Sequence, residues 1–533
     1  MSIKLLDCTL RDGGYLNDWE FGRNNYLSIY ERLVASAVDI IEVGFVDDRR
    51  PYDINKTIYP DTSAISRSFG KIKNKAPLTV AMIDYGTCNI SNVEDCDDSW
   101  VDGIRVIFKK HLMHEAMEYC RLLKNKGYKV FSNLVAVSDY TEEDLIEISR
   151  IINDVRPYAI CMVDTYGLMY PNDVTRIFKI LDTNIQKDIR IGFHSHNNLQ
   201  LGFANNLALI QNAGDRDITI DATLFGMGKS AGNGPIELVA DYLNKNKGKN
   251  YQINQMLEAI GESIIDMYGK YSWGYKTFFY LAAKNNCHPK YVGYFQDKNN
   301  FSLSDIDAIL DDEIPCERKL KFDETLSSEI YNTYRDKRYN DITEYNDLLS
   351  VINNRKILFI GPGKNIFLQE DKVDAFIKAE KPLCISINHI PEYLRTDYVF
   401  ITTSQRYLDM TDKLLSTEFS DIGIIATSNV TSKSRDFDFV FDREKLLNRN
   451  QKIIDNSFLM LLQIIKNLNI QNVYCAGLDG YSDRGDNYFD NNMEYRFHNM
   501  DALSMNKCIR DSVKQISMNV HFITYSHYEE EID

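Results

Sequence analysis

Two histidines stand one residue apart in His194-Ser195-His196, at the end of an apolar run, 188–196, that reads as a β-strand. Side chains i and i+2 of a strand point to the same side, so both imidazoles aim at one point. Arg11 and Asp12 sit together where another apolar run, 3–10, gives out, and Gly13 and Gly14 after them allow a sharp turn. Two imidazoles and one carboxylate suit a divalent cation that keeps positions open for water or substrate, and Asp12 is the natural third ligand. The expected metal is Mn2+ or Mg2+, with Co2+ or Zn2+ as alternatives. An isolated His-x-His is more often a pair of hydrogen-bonded structural residues, but the whole chain has only nine His.

Arg11 beside such a metal would be repelled unless an anion lay between them, so a charged substrate is expected. A metal and a guanidinium around one oxygen stabilise an enolate, the intermediate formed when a C–C bond is made or broken next to a carbonyl. Glu42, ending a second strand, either orients Arg11 through a salt bridge or fills a polar layer. Asp164 is a further polar strand end. The loop Gly226-Met227-Gly228-Lys229-Ser230-Ala231-Gly232-Asn233-Gly234-Pro235 precedes a helix near Ile236 and would offer backbone N–H groups, from Gly228 for instance, to a substrate anion. Asn233 is close enough in sequence to this turn to approach the metal.

These residues need a scaffold that brings strand ends together. Runs at 3–10, 39–45, 77–84, 103–109, 129–137, 159–165, 188–196 and 218–226 alternate with helix-like stretches such as 24–37, 112–126, 142–155, 172–183 and 198–213. Eight strand–helix repeats in about 245 residues predict an α/β (β/α)8 TIM barrel, whose reactive groups gather at the C-terminal ends of the strands. An open doubly wound sheet is the alternative. A Tyr- and Lys-rich stretch, 256–284, extends the barrel as helix. The expected division is a barrel with helical extension over 1–285, a helical connector over 286–350 and a second, Rossmann-like α/β domain over 351–533, with strands at 355–360, 383–388, 398–403, 422–427, 437–442, 472–477 and 519–525.

Thr9–Gly14 (TLRDGG), 41–45 (IEVGF), 194–198 (HSHNN) and 221–235 (DATLFGMGKSAGNGP) together resemble the metal-dependent lyase and synthase barrels related to HMG-CoA lyase, 4-hydroxy-2-oxovalerate aldolase and 2-isopropylmalate synthase. The four motifs occur in the right order and span about residues 3–285. The resemblance implies that Asp12, His194 and His196 hold the metal, that Arg11 stabilises the enolate oxygen and that Glu42 completes the signature. The last motif leans toward the 4-hydroxy-2-oxoacid aldolases, which release pyruvate and an aldehyde; here the aldehyde would be sugar-derived if the chain serves surface-polysaccharide metabolism. Those aldolases carry a catalytic His shortly after the Arg-Asp pair, where this chain has Tyr15, a poor base unless its phenol, ordinarily near pKa about 10, is lowered. Tyr275 is a second candidate acid, since the aldolases contribute a Tyr from their helical extension. The alternatives are an acyl-CoA Claisen synthase or lyase of the same superfamily, and a degenerate barrel fused to a nucleotide-dependent transferase.

In the second half, Ile360-Gly361-Pro362-Gly363-Lys364-Asn365 lies between a strand and a helix as a phosphate-binding turn would, without the spacing of a P-loop or a dinucleotide fingerprint. With Ser386-Ile387-Asn388 and Gly477-Leu478-Asp479-Gly480-Tyr481, the region is similar to bacterial sialyltransferase-like or pterin-diphosphokinase-like Rossmann domains. That similarity implies a nucleotide or nucleotide-sugar ligand touching Gly361, Gly363 and Asp479; the alternative is a structural or oligomerising role.

Composition sets the outer limits. At 533 residues the chain exceeds one hydrophobic core. Its net charge of −16 argues against nucleic acid and anionic lipid as partners. The ten cysteines fall singly, without disulfide or zinc-module spacing, and no signal peptide or membrane-length apolar run is seen, so a cytoplasmic protein is expected. A homo-oligomer is compatible with all of this.

Overall fold

A computed structural model of the chain describes residues 2–339, 341–431, 435–449, 452–483, 487–490, 493 and 501–529. Contacts divide it into two units, Met1–Val292 with Cys316–Phe322, and Gly293–Pro315 with Asp323–Asp533.

In the first unit, eight parallel strands close into a ring: β1 (Ile3–Asp7), β2 (Ile40–Val46), β4 (Thr79–Asp84), β5 (Gly103–Phe108), β6 (Lys129–Leu134), β7 (Ala159–Asp164), β8 (Arg190–Ser195) and β9 (Ile218–Ala222), with β1 pairing both β9 and β2. A two-residue strand, β3 (Ile58–Tyr59), lies outside the ring along β2. This is a TIM barrel. Alternate residues on the strands, such as Leu5, Ile41, Ala81, Ile104, Val130, Ile160, Ile191 and Ile220, join one large apolar core with the helices. The positions between them split by chemistry: Leu6, Ile40, Val80, Phe131 and Ala159 form a small apolar cluster of their own, whereas Glu42, Arg105, His194 and Asp221 occupy the same alternation with charge. Filling a barrel in layers in this way leaves the polar groups together.

Three strands stop earlier than their apolar runs. Asp7 turns its carboxylate onto the Thr9 N–H and hydroxyl, ending β1 in a helical turn, Thr9–Asp12. Ala136, at φ 52°, breaks the chain after β6, and Thr223 leads from β9 into a short turn, Leu224–Gly226, with Phe225 at φ 54°. The helical extension is likewise interrupted, by Ser272 and Gly274 at positive φ, and Tyr275 sits in that break.

The second unit is a seven-stranded parallel sheet in the order β14-β13-β12-β11-β10-β15-β16, built from β10 (Ile357–Ile360), β11 (Leu383–Ile387), β12 (Tyr398–Ile401), β13 (Gly423–Thr427), β14 (Phe439–Phe441), β15 (Asn472–Ala476) and β16 (Asn519–Phe522). Its strands read as continuous apolar runs because both faces are covered. Ile357, Phe359 and Ile385 pack with the helix Ser457–Asn467, while Leu358, Ile360 and Cys384 pack with the helix Glu370–Glu380. Residues 286–350 are helical but are divided between the two units, most of them falling with the second.

Candidate active site

Arg11 and Asp12 lie on the buried turn after β1, four and five residues beyond the end of the strand. The turn is fastened from several sides. The Thr9 hydroxyl accepts the Leu224 N–H at 2.8 Å, the Thr57 hydroxyl donates to Leu10 O at 2.7 Å and the Trp19 indole N–H donates to Arg11 O at 2.9 Å. Gly13 and Gly14 serve close approach, not a sharp turn. Both are helical, and a Cβ would fall 2.9 Å from Met227 Sδ at Gly13 and 2.0 Å from the Trp19 ring at Gly14.

Asp12, His194 and His196 meet at the mouth of the barrel. One ligand atom from each lies within 4.8 Å of the other two, and all three side chains are buried. Asp12 Oδ2 is 3.6 Å from His194 Nε2 and 4.0 Å from His196 Nε2, and it accepts the Asn233 amide N–H. Burial works against ionisation of Asp12, but Arg11 and the two histidines outweigh it and hold the carboxyl well below its usual range. Burial lowers His196 to about 4, so its imidazole is neutral and its lone pair free. His194 Nε2 and Asn233 Oδ1 are buried with no hydrogen-bond partner among the described residues. Buried acceptors without partners beside an ionised carboxylate are what a divalent oxygen- and nitrogen-binding cation would satisfy. The residues therefore fit a metal. A second grouping, Cys8 with His194 and Asp221, does not fit as well, because burial pushes the Cys8 thiol well up and away from the thiolate.

Around this cluster runs a closed ring of charged side chains. Arg11 Nη1 pairs with Asp12 Oδ1 at 2.9 Å and Arg11 Nε with Glu42 Oε2 at 2.8 Å. Glu42 Oε2 lies 3.1 Å from Arg105 Nη1, Arg105 Nη2 pairs with Asp221 Oδ2, and Asp221 Oδ2 lies 3.2 Å from His194 Nδ1. Asp221 thus faces the ring nitrogen opposite the one that faces Asp12, the arrangement that fixes the tautomer and orientation of a ligating imidazole. Burial lowers proton affinity at His194, but Asp12 and Asp221 more than offset it and the net direction is upward. Glu42 holds Arg11 by its Nε and is also the link to Arg105. Arg105 and Asp221 are absent from the residues picked out by spacing. Their signal is a charge inside the apolar runs GIRVIF and ITIDA, and Asp221 also opens the motif 221–235, which assigns it no role.

The loop after β9 closes over the set. The N–H groups of Ala231, Gly232 and Asn233 bond to Asn198 Oδ1, Lys229 O and Gly226 O. A Cβ at Gly228 would meet Asn233 Nδ2 at 2.1 Å and Asp12 Oδ2 at 2.8 Å, so glycine is needed for the main chain to pass beside the ligands. Lys229 lies 5.3 Å from the centre of the Tyr15 ring, which packs against Trp19 and Phe45. Burial, opposed by Asp12 and reinforced by Arg11, lowers the Lys229 ammonium from its ordinary value. Tyr15 goes the other way: its ring is 39% exposed, yet its recessed surroundings push the phenol up to about 12, so it is a protonated donor at neutral pH and not a base. Tyr275 is 59% exposed and makes no hydrogen bond, ion pair or ring contact among the described residues. Asp164 is buried at the end of β7 and accepts the Leu168 and Met169 N–H groups, which shapes the loop there; burial raises it to about 6.

In the second unit Gly361 and Gly363 spend their N–H groups on Ala476 O and Gly477 O, and the Asn365 N–H goes to Asp479 Oδ2 at 2.8 Å. The turn after β10 is satisfied from within and does not hold its amides out for a phosphate. Gly363 and Asp479 nevertheless line one cleft.

Residues 2–262 match the sequence model of the HMGL-like family. Among similar proteins, the 4-hydroxy-2-oxovalerate aldolase of Chloroflexus aggregans is 27% identical over 249 residues, covering 45% of this chain and 69% of that protein. The 4-hydroxy-2-oxovalerate aldolase of Shewanella pealeana is 26% identical over 245 residues, covering 46% and 71%. Among solved structures, the HMG-CoA lyase of Bacillus subtilis aligns with a TM-score of 0.40 and 16% identity over 51% of this chain and 94% of that one. The matched segment holds Arg11, Asp12, Glu42, His194, His196 and Asn233, so the part of the barrel that is similar to the HMGL-like family carries the whole cluster.

Proposed function

We propose that the chain is a divalent-metal-dependent aldolase, a carbon–carbon lyase acting on a 4-hydroxy-2-oxo acid through a pyruvate-type enolate. The observation that carries this reading is the buried Asp12/His194/His196 cluster with Arg11 tethered at its side, in a barrel whose relatives include proteins named 4-hydroxy-2-oxovalerate aldolase. Mn2+ or Mg2+, held by Asp12, His194 and His196 with Asn233 beside them, would supply a Lewis acid for the 2-oxo and carboxylate oxygens.

Arg11 is fixed through Nε and Nη1 by Glu42 and Asp12, and its Nη2 has no partner among the described residues. That N–H pair is the donor we assign to the substrate's 2-oxo oxygen, where negative charge grows as the bond between C3 and C4 breaks. In the cleavage direction the 4-hydroxyl proton must leave as C4 becomes the aldehyde carbonyl, and the electron pair of the C3–C4 bond passes into the enolate, which is then protonated at C3. Lys229, whose Nζ lies 5.3 Å from the centre of the Tyr15 ring beside the cluster, is the group we assign to take the hydroxyl proton. In the condensation direction the same Lys229 returns that proton, while Tyr15, kept protonated and packed under Lys229, is suited to hold the oxygen by a hydrogen bond. The aldehyde is proposed to be sugar-derived. No helix among the described residues is long and apolar enough to cross a membrane. We place the reaction in the cytoplasm on the ground that the ten cysteines fall singly along the sequence, without the spacing of a disulfide framework.

The test is exchange of the pyruvate methyl protons in D2O with Mg2+, followed by NMR. The reading requires exchange that a chelator and Asp12→Asn both abolish and that Lys229→Met slows. Methyl protons that persist in the metal-loaded enzyme, for pyruvate and its near homologues alike, would sink it.

A further inference from the structure

The second unit has a cleft of its own, at the place where its sheet reverses direction. From β10 the chain moves outward through β11, β12, β13 and β14 on one side, and then crosses to β15 and β16 on the other. The loops leaving β10 and β15 therefore part, which opens a crevice at the C-terminal ends of the strands, the general binding position in parallel α/β sheets. The cleft here is lined from the loops after β10, β11 and β15, from the helix Ser404–Asp409 and from the start of the helix Ser457–Asn467.

Its polar groups fall into two kinds. Asp479 uses Oδ2 to accept the Asn365 N–H, while Oδ1 is buried with no partner among the described residues. A carboxylate oxygen withdrawn from water needs a donor, and a donor is what a ligand hydroxyl supplies. The position is constructed: a Cβ on Gly363 would fall 2.4 Å from Asp479 Cγ, so glycine there is the condition for the carboxylate to fit. Burial raises Asp479 to about 6, which leaves it ionised and accepting at neutral pH. Arg406 is the second kind. It gives one N–H to Met493 O at 2.7 Å and has Asp409 3.6 Å away, so among the described residues most of its five donors remain for an anion. Between them the Ser457 hydroxyl is held in place by Asn388 Nδ2 at 2.8 Å and Thr402 Oγ1 at 2.7 Å. Phe458 and Tyr528, stacked at 14° with centroids 6.0 Å apart, supply an apolar wall.

We propose that this cleft binds a phosphorylated, hydroxyl-bearing small molecule, with Arg406 on the phosphate and Asp479 on the hydroxyls. That chemistry is shared by a sugar phosphate and by the ribose phosphate of a nucleotide. The site is separate from the metal cluster and gives the chain a second ligand whatever the barrel catalyses.

The experiment is isothermal titration calorimetry on the full chain with CMP, UDP, glucose 6-phosphate and inorganic phosphate as probes. At least one of the first three is expected to bind, with inorganic phosphate about tenfold weaker or worse. Binding by CMP or UDP alone identifies the nucleotide source, and binding by glucose 6-phosphate at equal strength identifies the sugar phosphate. Asp479→Asn and Arg406→Gln should each weaken the bound probe about tenfold or more, and Asp12→Asn should leave it unchanged. If Asp479→Asn fails to fold by circular dichroism, Arg406→Gln and Ser457→Ala read the same site. The proposal is overturned if none of the three probes binds, if inorganic phosphate binds as well as they do, if Arg406→Gln leaves the affinity unchanged, or if Asp12→Asn abolishes binding and so moves the ligand to the barrel.

Discussion

Replacing Asp221 by Asn tests whether the buried charge ring tunes the metal site. Asp221 Oδ2 is shared between Arg105 Nη2 and His194 Nδ1, and Oδ1 has no partner among the described residues. An amide can keep its oxygen on Arg105 and His194 only by placing its NH2 in the pocket where Oδ1 now sits, where it finds no acceptor. Turned over, it opposes N–H to N–H at Arg105 and at a His194 protonated on Nδ1, and it favours the tautomer whose Nε2 no longer offers a lone pair toward Asp12. Either arrangement weakens the ligand set. Loss of such an orienting carboxylate costs about 10–100-fold in metal affinity, or about 1.4–2.7 kcal/mol. The same quantity appears as stability. At metal about 100 times the wild-type Kd the folded protein gains about 2.7 kcal/mol, and that gain falls to about 1.4 kcal/mol for a tenfold weaker site and about 0.4 kcal/mol for a hundredfold weaker one. Titration calorimetry with Mn2+, and thermal unfolding with and without Mn2+ after chelator treatment, measure both. A folded Asp221→Asn protein that binds Mn2+ as tightly as wild type would refute the claim that Asp221 orients His194.

Arg105→Met should be more damaging to the fold than to the ligands, since it strands Glu42 and Asp221 as buried carboxylates; a loss of about 3–5 kcal/mol is expected in denaturant unfolding, partly recovered by adding Asp221→Asn. Gly228→Ala drives a methyl group to within 2.8 Å of Asp12 Oδ2, so metal-dependent turnover should fall by about 100-fold while circular dichroism is retained; unchanged turnover would mean that the loop yields freely. Asp164 is raised to about 6 in the folded state against about 3.9 unfolded. Its contribution is therefore full well below about pH 4 and is lost as pH rises through 6, so wild type should lose about 2 kcal/mol of barrel stability relative to Asp164→Asn between pH 4 and 7.

The barrel was legible because its strands are buried on both sides and read as short apolar runs at even spacing, and the convergence of Asp12, His194 and His196 because chemistry and spacing coincide there. Strand ends were less legible. The run 3–10 is apolar through Leu10, but Asp7 diverts the backbone by taking the Thr9 N–H, a local side-chain bond that hydrophobic periodicity does not register. Arg105 and Asp221 were missed for a different reason. Each is a charge inside an apolar run, and what it pairs with depends on which strands the closed ring makes adjacent across its interior. The turn 361–365 misled in the opposite sense. Its glycines suggested amides free for a phosphate, whereas they allow close packing of Gly361 and Gly363 against Gly477 and the fit of Asp479.

The charge of the ring also fits a divalent ion and an anionic substrate. Asp12, Glu42 and Asp221 carry three negative charges, and Arg11 and Arg105 carry two positive ones, so the buried set has one negative charge in excess when both histidines are neutral. A divalent cation would turn that excess into one positive charge. A 2-oxo acid brings one carboxylate, and the loaded site then balances. Arg11 does not repel such a cation with its full charge, because Asp12 and Glu42 hold it from both sides, and the charge that remains is directed at the position where the substrate's own negative charge grows. Because groups at this depth are costly to leave unbalanced, this charge order favours metal before substrate and an anionic substrate over a neutral one.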